Sequence, residues 1–523
     1  MESSQELYQR LLAADGFATQ DLSERLDRVG RLIDISGRLR RQEGIDRALV
    51  VCEELGKQML NPEQRGTLHY FNANAWANRW VITGSNHEAW EQPYLEHEIL
   101  ELRLALRDAS ALPVDRRCQI LTNLGNALSK SGRFLDAIHA WDKALELSPM
   151  FGMAVGNRAI ELLYYAKLLW HRHDQVVLLQ ESYAEFQRAL TFPLPEYAKR
   201  EFLKSKEWLE AKIKLDVLAK RHDLKVGQMG ASKEEQGYRR WCSNRRLFLH
   251  PVNDLGPFPA GASDPISLPE IIMKINEGPS HLGFLNSMKQ EFATARYLLF
   301  AGTHAKSVHF SDRGVRLTNT LDYPSYSFAT EQVKAAFRIG YSLFDKVAFF
   351  LNGYLALGIP EKNVTFKTLW YYDDGKKKKT KKKELRPGLR ALRNFPLRGL
   401  FWLSKDLYED DSGLSDSLEP EARDLAATRN YLEHKYFKVH LPDWHGSALS
   451  QGKAASTLID TLAFSVGKEA FAAKTIRLLQ LARSALIYLT CAVRVHEKQN
   501  AKKSPASIAV PIELPEWHDD WKH

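Results

Sequence analysis

Cysteine is scarce, with four in 523 residues, and Cys52, Cys118, Cys242 and Cys491 form no CxxC pair. That excludes a disulfide framework and a zinc knuckle, and points to a reducing compartment. Long apolar runs are also lacking. Stretches such as 347–357 and 485–493 fall short of the roughly 18–20 residues that span a bilayer. The opening segment, MESSQELYQRLLAADG, is polar and acidic and does not read as a secretory leader. A soluble cytoplasmic protein without a membrane partner is the expectation. No GxxxxGK[ST] and no HExxH occurs, so neither a triphosphate-binding loop nor a zinc-protease site is expected. The pairs around His171–Asp174 and His518–Asp520 lack a full set of ligands, so no metal and no cofactor is expected.

Apolar and charged content is what a folded chain needs, at 44% and 26%. The net charge of +9 is unevenly distributed. Lys376, Lys377, Lys378, Lys379, Lys381, Lys382 and Lys383, with Arg386 and offset by Glu384, supply +7 and leave the rest near neutral. Such a run either attracts an RNA backbone without reading its sequence or stays solvated as a self-repelling loop.

Residues 118–151 read CQILTNLGNALSKSGRFLDAIHAWDKALELSPMF. Leu121, Leu124, Gly125 and Leu128 lie on one helix, Ala137, Trp141 and Ala144 on a second, and Pro149 follows. Gly125 and Ala137 suit a close helix crossing, Gly132 a turn, and Trp141 the space toward the next unit. The pattern resembles a tetratricopeptide repeat. Weaker copies are expected upstream (Leu32, Ile35, Ser36, Leu39, Ala48, Cys52, Leu55), over 68–107, and at Asn157–Ala159 with Ser182, Phe186 and Ala189, the last with a loop about 11 residues longer. Because one unit cannot bury its apolar face, an array through about residue 225 is expected. Such arrays offer a groove to a peptide or partner protein, or pack on the rest of their own chain.

Residues 226–280 are rich in glycine and proline and read as a connector. Helical periodicity then covers 282–302, 329–357, 389–408, 418–439 and 467–499, an elaborated α-bundle over 281–500 with a tail at 501–523. The fold class is all-α throughout. The segment SLEPEARDLAATRNYLEHKYFKVH is expected to be one helix from Ser417 to His440, started by Ser417, Pro420 and Glu421. Its apolar stripe runs through Leu425, Leu432, Tyr436 and Val439, with Arg429 where the stripe should continue. An arginine on an inward face is expensive unless paired or used. Asn430 and His434, four residues apart, project together.

Arg429-Asn430-Tyr431-Leu432-Glu433-His434 resembles the R-x4–6-H motif of HEPN-domain ribonucleases, on the penultimate long helix of a bundle. Two other windows with that spacing lack the context: Arg133 and His139 lie at a repeat turn, and Arg245 and His250 precede Pro251. With the repeats, the chain resembles the repeat-fused HEPN proteins of bacteria. The resemblance implies metal-independent cleavage of RNA by 2′-hydroxyl attack, leaving a 2′,3′-cyclic phosphate. Arg429 would stabilise the phosphorane, His434 transfer protons, and Asn430 orient the histidine or contact phosphate. It also implies a homodimer that pairs two motifs, and a toxin-like or antiviral effector controlled by a trigger on the repeats. Lys435, Tyr436 and Lys438 could add RNA contacts or simply pack. Arg429 could alternatively pair with Glu433 at i,i+4. The rival function is a non-catalytic scaffold binding RNA or protein.

Overall fold

The computed structural model describes residues 3–13, 17, 21–272, 278–320, 322, 324–372, 384–408, 422–441, 462–503 and 514–522. The described chain is overwhelmingly helical. Its first half holds α1 (Ser4–Leu12), α2 (Leu22–Leu39), α3 (Gln42–Gly56), α4 (Pro62–Ile82), α5 (Pro93–Arg107), α6 (Val114–Ser131), α7 (Phe134–Leu147), α8 (Gly152–Leu168), α9 (Arg172–Ala189), α10 (Glu196–Lys212), α11 (Leu215–Ala219) and α12 (Lys233–Asn244). Each of α2, α4, α6 and α8 packs antiparallel on the helix that follows it, and these hairpins stack in sequence.

Local chemistry sets the hairpins. Asn61 and Gln64 form a reciprocal capping box that opens α4, with Pro62 in the first turn. Gly132 ends α6 in the left-handed region at φ 92°, its N–H bonded to Leu128 and Ser129 carbonyls. Trp141 lies against Gly125 so closely that a Cβ there would clash with the indole, and its Nε1 donates to the Thr122 carbonyl at 3.1 Å. Trp141 thus closes its own hairpin in the space that glycine leaves open. In α8–α9, Ser182 Oγ donates to the Ala159 carbonyl at 2.7 Å. The extra residues expected in that loop extend the two helices instead, and only 169–171 link them.

The second half holds α13 (Ser280–His304), α14 (Phe328–Tyr354), β1 (Tyr371–Tyr372), β2 (Glu384–Leu385), α15 (Pro387–Arg390), α16 (Phe395–Leu407), α17 (Ala422–His434), β3 (Tyr436–His440), β4 (Ala463–Gly467) and α18 (Lys468–Lys503). The helix expected over 389–408 is broken. Asn394 Oδ1 accepts from the Leu397 N–H, Pro396 sits in the first turn, and α16 starts afresh there. The helix expected to reach His440 stops at His434, and Tyr436–His440 becomes a strand parallel to Ala463–Gly467. Aromatic and β-branched residues favour that state, and Phe437 stacks on Phe464 at 5.8 Å. Among the described residues one helix segment, Lys468–Ala501, is long and apolar enough to cross a membrane, but 83% of its apolar window is buried inside the fold.

The two halves share one continuous apolar core. Gly132 and Gly399 meet backbone to backbone, where a Cβ on Gly132 would lie 2.6 Å from the Phe395 carbonyl oxygen. Beside them Asp406 of α16 is wholly buried and takes Arg103 through two hydrogen bonds of 2.6 and 3.0 Å, and Arg133 through a third. Both guanidiniums hold the Asp406 carboxyl far below the usual carboxylate range against the cost of burial. Tyr488 of α18 donates to Asp136 at 3.0 Å and accepts from the Leu135 N–H at 3.2 Å. The repeat array is therefore docked on the bundle through its own turn.

Candidate active site

The motif occupies the last two turns of α17. Leu425, Thr428 and Leu432 face the core, with Thr428 wholly buried. The spacing of three and then four makes Thr428, not Arg429, the residue that continues the inward stripe. Arg429 lies on the flank, half-buried, with its guanidinium carbon 5.7 Å from the centre of the Tyr341 ring. Its Nη1 donates to Asn430 Oδ1 at 3.2 Å. Among the described residues no ion pair engages Arg429.

The pairing with Glu433 does not form. Glu433 faces Arg338 of α14 at 3.5 Å, and Arg338 also donates to the Leu432 carbonyl at 2.6 Å, covering an open carbonyl near the helix end. Arg338, Tyr341 and Asp345 stand at i, i+3 and i+7 of α14 and form the wall opposite the motif. The polar break they make in FRIGYSLFDK was the available sequence signal. Burial raises the Asp345 carboxyl above its ordinary value, opposed by the Phe366 N–H at 2.9 Å and by the charge of Arg429. Burial likewise pushes the Tyr341 and Tyr408 hydroxyls up, while Arg429 lowers both. A fixed positive charge thus stands against a wall of protonatable groups.

His434 is the last residue of α17 and is exposed. No hydrogen bond joins it to Arg429 or Asn430, and it stands one helical turn beyond Asn430, which is exposed as well. Lys435 is exposed, with Nζ 4.8 Å from the centre of the Tyr431 ring. Tyr436 shares a hydrogen bond of 2.8 Å with the Tyr326 hydroxyl. Lys438 departs from the expectation of an RNA contact. It is 2% exposed and its Nζ donates to Asp322 at 2.5 Å, because the strand carries it into the bundle. Lys376–Lys379 and Lys381–Lys383, like Ser417, Pro420 and Glu421, lie outside the described residues. Among the described residues no group of three or more His, Cys, Asp or Glu could hold a metal ion.

An all-α bundle with this motif on its penultimate long helix defines a class, and comparison with known families agrees. Residues 272–496 match the family model described as LA2681-like HEPN, which supports a HEPN domain in the C-terminal half. No curated protein and no solved structure matches the chain. The N-terminal helices are consistent with repeats, although no tetratricopeptide family model matches them. HEPN domains are helical modules associated with RNA cleavage or nucleotide binding.

Proposed function

We propose that the chain is a metal-independent endoribonuclease whose catalytic group is Arg429, Asn430 and His434. The observation that carries this reading is the state of Arg429: inside the HEPN-matched region it is held in place by Asn430 and Tyr341, while its competitor Glu433 is engaged by Arg338. A guanidinium that stays protonated and can bind phosphate through two N–H groups suits the charge of a phosphorane. Asn430 orients Arg429. Exposed His434 supplies or accepts the proton as the ribose 2′-hydroxyl attacks the adjacent phosphate and the 5′-oxygen leaves. The products are a 2′,3′-cyclic phosphate and a 5′-hydroxyl.

The bundle carries one such motif, on α17, and the proposal therefore includes a homodimer in which motifs of two bundles face one cleft. Lys435 and Tyr436, exposed at the end of α17, would border the RNA path. The repeats would receive the protein or peptide trigger of a toxin-like or antiviral effector acting in the cytoplasm. Replacing Arg429→Ala or His434→Ala should abolish cleavage, with circular dichroism and mass in solution unchanged. Cleavage by both variants at the parental rate would overturn the assignment.

A further inference from the structure

The loop 305–327 joins α13 to α14 and ends beside the last residues of the motif. Its final stretch runs along β3: the Ser325 N–H donates to the Val439 carbonyl at 2.7 Å, and the Tyr326 hydroxyl meets that of Tyr436 at 2.8 Å. Tyr436 follows His434 by two residues, so the loop borders the candidate site. Earlier in the loop three rings gather. The His309 ring centre lies 4.2 Å from that of Phe310 and 4.5 Å from that of Phe328, the second pair stacked at 29°. The main chain fixes this group. The Ser311 N–H donates to His309 Nδ1 at 3.3 Å, and both Asp312 carboxylate oxygens accept from the Phe328 N–H at 3.0 Å.

These ordered rings stand in water. Phe310 is 74% exposed, and Phe328, Tyr326 and Tyr436 are 41, 40 and 38% exposed. Their apolar faces gain nothing until something covers them. Three cations stand in the same loop. Lys306, Arg313 and Arg316 are exposed, and among the described residues no ion pair and no side-chain hydrogen bond engages them. The carboxylate of the stretch 305–320, Asp312, is already taken up by the start of α14.

We infer that this loop and the start of β3 carry an unpaired RNA strand past the candidate site, with bases stacked on Phe310, Phe328 and Tyr436 and phosphates on Lys306, Arg313 and Arg316. A single strand supplies both missing partners, since each nucleotide brings a flat face and a negative charge. A duplex keeps its flat faces stacked inside and offers the rings nothing. A second copy seated on this face by a two-fold axis would set the cations against their own images.

The test is fluorescence anisotropy of the whole chain with a labelled, mixed-sequence 2′-O-methyl RNA of about 12 nucleotides, free or annealed to its complement. Lacking a 2′-hydroxyl, the strand binds without being cut. The single strand should bind at least about tenfold more tightly than the duplex. Phe310→Ala should weaken binding about tenfold, as loss of one base stack implies, and leave the melting curve unchanged. In Arg313→Gln/Arg316→Gln the slope of log affinity against log salt should become shallower by about 1.4, for two lost phosphate contacts. Duplex binding as tight as that of the single strand would overturn the inference, as would parental affinity and salt slope in either variant. No binding of the strand up to about 100 µM would overturn it as well. Self-association of the parent that Phe310→Ala abolishes, with RNA affinity untouched, would overturn it and give the face to a second copy. The inference rests on the reading of Arg429 and His434 as an RNA site, yet the two fail separately. Natural RNA bound through this loop but never cut would refute the cleavage reading alone, whereas cleavage with parental RNA affinity in both variants would refute this one alone.

Discussion

Glu161 of α8 shows how a single titratable side chain sets a pH dependence. It is 2% exposed, accepts a hydrogen bond from Ser129 Oγ at 2.5 Å, and burial pushes it up to about 7. Its folded value lies above the unfolded one near 4.5, so the folded state favours the protonated acid. Stability from this group is fully present below pH 4.5 and is lost as pH rises through 7. Glu161→Gln removes the titration, and above pH 8 it should be more stable than the parent by up to about 3 kcal/mol, with the gap closing toward pH 4. Urea unfolding at pH 5 and pH 8.5 checks this, and a gap independent of pH would contradict it. Lys438 makes a related point. Its buried ion pair with Asp322 predicts that Lys438→Met destabilises the fold by about 3 kcal/mol, measurable as a lower urea midpoint, and leaves RNA affinity unchanged in a filter-binding assay. Sequence spacing alone could not distinguish Lys435 from Lys438. The distinction depends on where helix gives way to strand, and on Asp322, more than a hundred residues away.

At the scale of elements, the repeat hairpins were the legible part. Gly125, Gly132, Ala137 and Trp141 carry their roles in local spacing, and α6 and α7 form where that spacing requires. The bundle was legible as helices but not in its interruptions. YFKVH fits an apolar helical stripe as well as a strand, and only pairing with β4 decides between them. The same holds for Arg429. The motif marks the residue, yet the wall of Arg338, Tyr341 and Asp345 comes from α14, far away in sequence. Gly132 combines both kinds of information: its turn conformation is local, whereas its contact with Gly399 is tertiary. Gly132→Ala should therefore cost about 2 kcal/mol or more, from positive φ and from overlap with the Phe395 carbonyl. Gly84, also at positive φ but with open space around it, is the control and should lose about 1 kcal/mol. Equal losses in thermal unfolding would show that the docking contact contributes nothing.

For the whole molecule, the array is built into the bundle rather than tethered beside it. Trp402 Nε1 donates to the Trp90 carbonyl at 2.9 Å, Lys405 pairs with Glu96 at 2.9 Å, and Asp406 binds Arg103 and Arg133 at the buried centre of the junction. Asp406→Ala leaves two buried guanidiniums without their counter-charge and should cost about 3–5 kcal/mol, read as a fall in the urea midpoint. A loss within the error of the measurement would show that the junction is held by its apolar contacts alone. One helix links the junction to the candidate site: α18 both carries Tyr488 at the junction and packs on α14, which forms the wall opposite Arg429. The most direct test of the central claim is cleavage of total cellular RNA in EDTA by the parent chain and by His434→Ala, with end groups identified. The account predicts cleavage by the parent only, leaving 2′,3′-cyclic phosphate and 5′-hydroxyl ends. Cleavage that needs a divalent metal, or persists in His434→Ala, would contradict it.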